Sequence, residues 1–393
     1  MEKHGENEQG NKRANEIKTF SVPFFLDRIQ ENIKITTKSA SNLNKEEILN
    51  QALKFYSQGN ILEAEKYYQN LIKQGFTDHI VFSNYGEILI HNGRLKEAED
   101  NLRKAIKLNP YNANDHKNLG SVLIHYGQLN EAKIETEKAL ELKPDFDKAH
   151  VNLGLILRLY GQLEEAELST RKSIEINPDF ALAYSNLGGI LEDLGKFEEA
   201  EISLRKAIEL NPNNPDTYYN LGGVLRNLSQ LKEAEVSLRK AIKLNPHFAQ
   251  AHSNLGGILK DLGKLKEAEV SLNKAIELDS GLAEAHANLG AVLRDLGRFE
   301  EAALSTYKAI DQSPDFAVAY LNLGDISTSL GKLKEAEVSL LKAIQLKPDF
   351  ADAYFNLSCI QLLKGNYQSG LKNYEFRFKK KKPTITHGNS NLK

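Results

Sequence analysis

The chain has little from which covalent or metal chemistry could be built. Among 393 residues there is one cysteine, Cys359, one methionine and no tryptophan. A lone cysteine closes no internal disulfide and cannot supply a zinc site, which suits a reducing compartment. No apolar run reaches the roughly 18 residues needed to cross a bilayer. The first twenty residues, MEKHGENEQGNKRANEIKTF, lack the apolar centre of a secretory signal, so a cytoplasmic location is expected. An excess of one charge is missing too: 51 Lys and Arg stand against 53 Asp and Glu, a net charge of −2, leaving no global field to draw nucleic acid or an anionic membrane. Enzyme signatures are absent. There is no Gly-x-Ser-x-Gly elbow, no phosphate-binding Gly-Lys-Ser/Thr loop, no His-Glu-x-x-His pair and no Gly-x-Gly-x-x-Gly fingerprint. No catalytic residue, cofactor or metal is expected.

What the chain does have is a period. With 41% hydrophobic residues it can build a sizeable core, and it does so in copies. From Lys45, blocks begin at 79, 113, 147, 181, 215, 249, 283, 317 and 351, ten in all, at a constant period of 34 without insertion or deletion. Such self-similarity outranks local pattern as a sign of architecture. Within a block, position 8 is Gly from Gly86 to Gly324, position 20 is Ala from Ala64 to Ala336, and position 27 is Ala or Ser from Ala105 to Ala343. Small residues at these places let two helices approach closely. Position 15 is Gly in most blocks (Gly127, Gly161, Gly195, Gly263, Gly297, Gly331), where a first helix must end in a left-handed residue. Position 32 is Pro in seven blocks, from Pro110 to Pro348, and stops the second helix. Each block therefore reads helix, turn, helix, turn. Positions 3, 7, 10, 11 and 14 of the first helix and 17, 24 and 28 of the second form the packing face. Pairs such as Glu99 with Arg103, Glu167 with Arg171, Glu201 with Arg205 and Glu235 with Arg239, four apart, decorate a solvated face at roughly 0.2–0.5 kcal/mol each.

These features resemble the tetratricopeptide repeat family, whose 34-residue pattern has a bulky residue at 4, Leu-Gly at 7 and 8, Ala at 20 and 27 and Pro at 32. The likeness covers residues 45 to about 380. The departure is at position 4, where the family's tryptophan is replaced by Tyr184, Tyr218, Tyr320 and Tyr354 or by His116, His150, His252 and His286. The resemblance implies an all-α solenoid, a right-handed superhelix of about ten helix-turn-helix repeats, whose first helices line a concave groove that binds peptides or partner proteins. The boundaries read as a polar segment at 1–44, with 20–35 (FSVPFFLDRIQENIKI) as a cap on the first repeat or a docking segment, a solenoid at 45–378, and a basic tail at 379–393.

Position 6 stands out. It is Asn in nine consecutive blocks, Asn84, Asn118, Asn152, Asn186, Asn220, Asn254, Asn288, Asn322 and Asn356, although Asn is a mediocre helix former. At about 100° per residue it falls off the core face, beside a very small position 9 (Gly189, Gly223, Gly257, Ala291) and a polar position 13 (Asp193, Asn227, Asp261, Asp295). Two readings stand. In one, the amides, each both donor and acceptor, form a ladder along the backbone of an extended peptide, with the small residues as clearance and the acids as a rim; in the other, they are copied, solvated residues. The stretch AYSNLGGILEDLGKFEEAEISLRKAIELNP, from 183, is similar to the repeat arm of O-linked N-acetylglucosamine transferases. That resemblance implies position-6 asparagines that hold substrate chains, and an alternative role as the recognition arm of a transferase, truncated or encoded separately. Only a short tail follows KKKKP, so such a domain is not expected within the chain.

Other candidates weigh less. At position 12 the cations Arg158, Arg226, Lys260 and Arg294 are interrupted by Glu192, which argues against a carboxylate clamp and for a mixed-charge rim. Histidines at position 4 recur at interhelical spacings of about 8–10 Å, too far apart for one zinc with bonds of about 2 Å. Cys359 falls at position 9 of the last block and reads as a small residue there. The basic run Lys379–Lys382 is a solvated linker or a contact to nucleic acid or membrane; neither partner is expected.

Overall fold

The computed structural model describes residues 45–379; the N-terminal cap expected at 20–35 and the tail beyond 379 lie outside the described residues. Every block becomes a helical hairpin in the expected register. In repeat 3, for example, the helices are Ala113–His125 and Leu129–Leu142, and in repeat 7 Ala249–Asp261 and Leu265–Leu278. No strand occurs among the described residues. By packing, the described residues divide into two units, the first ending at Asn220 and the second beginning at Leu221. Within each, the two helices of a hairpin pack together, each second helix packs on the first helix of the next repeat, and successive first helices touch.

The small residues do what their positions require. In the first unit a Cβ on Gly188 would lie 2.5 Å from Cγ of Leu204, and in the second a Cβ on Gly256 would lie 2.4 Å from Cγ of Leu272. Position 8 is glycine because the position-24 side chain of its own hairpin fills the space. The position-15 glycines have φ between 69° and 80°, where a residue with a Cβ is strained. Repeat 6 breaks the pattern with Ser229, held at φ 61°. Position 34, commonly Phe, plugs the seam between hairpins: Phe146 packs with Ala139 and Ala149, and Phe180 with Val151 and Ala183.

Positions 10, 11 and 24 form the core, as Ile190, Leu191 and Leu204 do in repeat 5 and Ile258, Leu259 and Leu272 in repeat 7. Position 14 is less buried than its periodicity suggests, because it lies just past the end of the first helix; Tyr126 is exposed. The i,i+4 pairs are also more than decoration. Arg171 binds Glu167 at 2.8 Å and Glu199 of the next repeat at 3.0 Å, and Arg239 binds Glu235 at 2.9 Å and Glu267 at 2.8 Å. Each links neighbouring hairpins, though these exposed arginines add well under about 1 kcal/mol per pair. In repeat 10 the second helix is short, Tyr367–Tyr374, and gives way to a 3-10 turn, Glu375–Lys379, where Phe376 stacks on Tyr354 at 4.0 Å.

Candidate functional site

The nine asparagines divide into two groups. Asn152 is 3% exposed, and its Nδ2 donates to Ser121 Oγ at 2.8 Å and to the Lys117 carbonyl at 3.3 Å. Asn322 repeats this in the second unit, donating to the Ala287 carbonyl at 3.0 Å. Lys117 and Ala287 are both position 5 of the preceding repeat. Asn118 accepts from Lys117 Nζ, Asn84 donates to Tyr68 Oη at 3.0 Å, and Asn356 donates to Asp325 at 2.5 Å. The expectation that position 6 lies off the core therefore fails at Asn118, Asn152 and Asn322, which are buried. Helical periodicity alone misses that position 6 sits in the seam between successive first helices.

The other group has no such partner. Asn186 and Asn220 in the first unit, and Asn254 and Asn288 in the second, are half-buried and make no hydrogen bond among the described residues. Asn186 is the most marked, since its Nδ2 is shut off from solvent and unpaired. An amide left in that state costs about 1–3 kcal/mol relative to a satisfied one.

The surroundings of these amides are built from neighbouring repeats. Arg158 reaches across to Asp193 of the next repeat, Nε to Oδ2 at 2.6 Å, and its guanidinium lies over Gly189, where a Cβ would be 2.4 Å from Nη1. The clearance expected at Gly189 is thus occupied by arginine. In the second unit Arg226 reaches Asp261 at 3.3 Å, and a Cβ on Gly257 would meet it only at 3.7 Å, so room remains there. Arg294 binds Asp295 at 2.8 Å and, at position 9 of repeat 9, Asp325 at 2.9 Å. The expected acidic rim is therefore neutralised: Asp193, Asp261 and Asp295 each face an arginine, while Asn227 is exposed at the same position. The signal for this lay in the sequence as arginine at 12 followed by a small residue at 9 and an acid at 13 in the next repeat.

Two groups on this face of the first unit titrate near neutrality. Burial, reinforced by the adjacent Asp193 and opposed by Arg158, pushes the Glu192 carboxyl up to about 7. Burial brings the Lys117 ammonium down to about 8; its Nζ lies 5.9 Å from the Phe146 ring centre.

The position-4 rings bind backbone. Nε2 of His116, His150, His252 and His286 pairs with the carbonyl of Pro110, Pro144, Pro246 and Ser280 respectively, and Tyr320 Oη donates to the Pro314 carbonyl. A half-polar ring here satisfies the carbonyl at position 32, six residues back. His116 alone also meets a carboxylate, with Nδ1 2.6 Å from Glu135, and that bond raises its pKa. No cluster of metal-ligating side chains occurs among the described residues. No described helix is long and apolar enough to cross a membrane.

Family profiles described as TPR repeat match residues 190–228, 256–297 and 324–365. Others described as tetratricopeptide repeat match 49–113, 118–146, 147–180, 170–202, 215–248 and 283–316. Among solved structures, YrrB, described as "a TPR protein with an unusual peptide-binding site", shares 30% identity over 47% of this chain and 95% of its own, with a TM-score of 0.39. The APC/C hetero-tetramer Cut9-Hcn1 matches at 16% identity over 81% of this chain and 67% of that one, with a TM-score of 0.61. Yeast Tom70 matches at 16% identity over 86% and 92%, with a TM-score of 0.45. No curated protein sequence matches. The chain belongs to the tetratricopeptide-repeat family, with an all-α solenoid of stacked hairpins.

Proposed function

We propose that the chain is a non-catalytic protein-interaction module that binds extended peptide segments along the first helices of its two units. The observation that carries this reading is the division among the asparagines: those of repeats 2, 3, 4, 9 and 10 are used within the protein, whereas Asn186 and Asn220 in the first unit, and Asn254 and Asn288 in the second, keep unpaired amides. A Cα–C(=O)–N–H backbone offers one acceptor and one donor to each amide, independent of the peptide's side chains. The Arg–Asp contacts beside them commit those charges within the protein, so recognition rests on backbone. A recognition arm for a transferase encoded elsewhere rests on sequence resemblance alone.

The test begins with an extended peptide selected from a random displayed library against the full chain, its affinity then measured by fluorescence anisotropy. Replacing all four asparagines by Ala removes two bonds worth about 0.5–1.5 kcal/mol each from each unit, so at least a fivefold loss of affinity is expected with the circular dichroism unchanged. N-methylation of the peptide backbone is expected to weaken binding comparably. Unchanged affinity in the quadruple variant sinks the proposal.

A further inference from the structure

We infer that the second unit carries an additional ligand site, on the second-helix side and separate from the asparagine face, that takes an anionic amphiphile of the long-chain carboxylate class. A groove of about 680 Å³ lies between the second helix of repeat 6, Leu231–Leu244, and the hairpin of repeat 7, Ala249–Asp261 and Leu265–Leu278. Its apolar lining is Ile242, Leu255, Leu259 and Val270. This volume lies within the range of small-molecule sites, which pair an apolar body with a few orienting polar groups.

Val270 marks the groove as open to a ligand. It is 71% exposed, and it belongs to a series at position 22 that also shows Val236, Leu304 and Val338 in this unit, each at least 60% exposed. An aliphatic residue held that far into water in four consecutive repeats is an exposed apolar feature of the kind that marks binding surfaces. Only beside Val270 does the series border the groove.

Charge sets the class of ligand. The polar lining holds Arg239, Lys243, Lys266 and Lys274 against a single carboxylate, Glu267. Arg239 is bound to Glu235 and Glu267, and Lys274 to Glu277 at 2.7 Å. Lys243 and Lys266 are exposed and have no ion-pair partner among the described residues. The groove therefore presents an apolar floor and, in its lining, two exposed lysines with no ion-pair partner among the described residues. An alkyl chain on the floor with its carboxylate between Lys243 and Lys266 satisfies both.

The experiment is calorimetric titration of the full chain with dodecanoate below its micellar concentration, with dodecanol and dodecyltrimethylammonium as controls. Dodecanoate is expected to bind at one site and the cationic control not at all. Shortening the acid by two methylenes is expected to weaken binding about tenfold. The variant Lys243→Glu/Lys266→Glu should weaken dodecanoate binding at least tenfold and leave dodecanol unchanged. Val270→Asp should weaken both, while Val338→Asp, at the same repeat position but away from the groove, should weaken neither. All four residues are surface residues, so the fold is retained. Absence of binding, equal binding of the cationic control, or equal effects of Val270→Asp and Val338→Asp overturns the proposal. None of these outcomes bears on the asparagine face, whose peptide affinity is measured separately.

Discussion

Two adjacent glycines in the first helix of repeat 7 should respond to the same substitution with opposite signs. Gly256 and Gly257 both lie inside Ala249–Asp261, where glycine costs about 1 kcal/mol relative to alanine in backbone entropy and exposure. At Gly257 the nearest atoms to an added Cβ are the Arg226 guanidinium nitrogens at 3.7 Å, an ordinary contact. Gly257→Ala is therefore expected to stabilise repeat 7 by about 0.8–1 kcal/mol. At Gly256 the same methyl would stand 2.4 Å from Cγ and 2.7 Å from Cδ2 of Leu272, which is 0% exposed. Overpacking of a closed core costs about 1–3 kcal/mol, so after the gain in helix propensity a net loss of about 1–2 kcal/mol is expected. Repeat arrays need not unfold in one step, so the measurement is amide hydrogen exchange over residues 249–282, supported by urea midpoints. If Gly256→Ala stabilises, or both variants move the same way, close approach of position 24 is not what demands glycine at position 8. Gly257→Ala carries a second readout: a peptide backbone passing over this position loses affinity although the protein becomes more stable.

Ser229→Gly should raise stability by about 0.5–1 kcal/mol, since the left-handed conformation costs a residue with a Cβ about 1–2 kcal/mol and glycine returns part of that in unfolded-chain entropy; the urea midpoint of the second unit reads it. Asn152→Ala should destabilise by about 1–2 kcal/mol because the Ser121 and Lys117 acceptors lose their donor, whereas Asn254→Ala, with no bond to lose, should stay within about 0.5 kcal/mol. His116 has acceptors on both ring nitrogens, Glu135 and the Pro110 carbonyl, so the folded state favours imidazolium and its pKa is raised. Its stabilising contribution is fully present below the unfolded value of about 6.5 and is lost as pH rises through the raised folded value. Proton NMR titration of the ring, with wild-type and His116→Gln urea midpoints compared across pH, should show the difference between the two proteins shrinking towards higher pH; a difference independent of pH refutes it.

The hairpins were legible in the sequence because their causes are local. Gly at position 15 has to accept a positive φ, Pro at 32 cannot continue a helix, and apolar residues spaced at helical intervals have to share a face, whatever lies nearby. All of that is written within a single block. The metal reading of the position-4 histidines also fell to spacing alone, although the carbonyl six residues back that each ring binds emerges only once the turn is folded. The site was legible only in part. Nine identical asparagines suggest nine identical rungs, yet Asn152 is committed to Ser121 and Asn254 is not, because position 6 meets the preceding first helix and what stands there differs between repeats. Likewise Gly189 reads as open space until Arg158, from the repeat before it, is found lying over it, and Asp193 reads as an acidic rim until the same arginine binds it.

The sequence by itself determined the helix ends, the hairpin register and the central core positions 10, 11 and 24, since these follow from backbone conformational limits and from periodicity within a single repeat. Tertiary structure alone decided which amides remain unpaired, which charges are neutralised and where Lys243 and Lys266 stand uncommitted beside an apolar groove. Those properties belong to side chains a whole repeat apart in the chain, brought within hydrogen-bonding distance only when one hairpin stacks on the next.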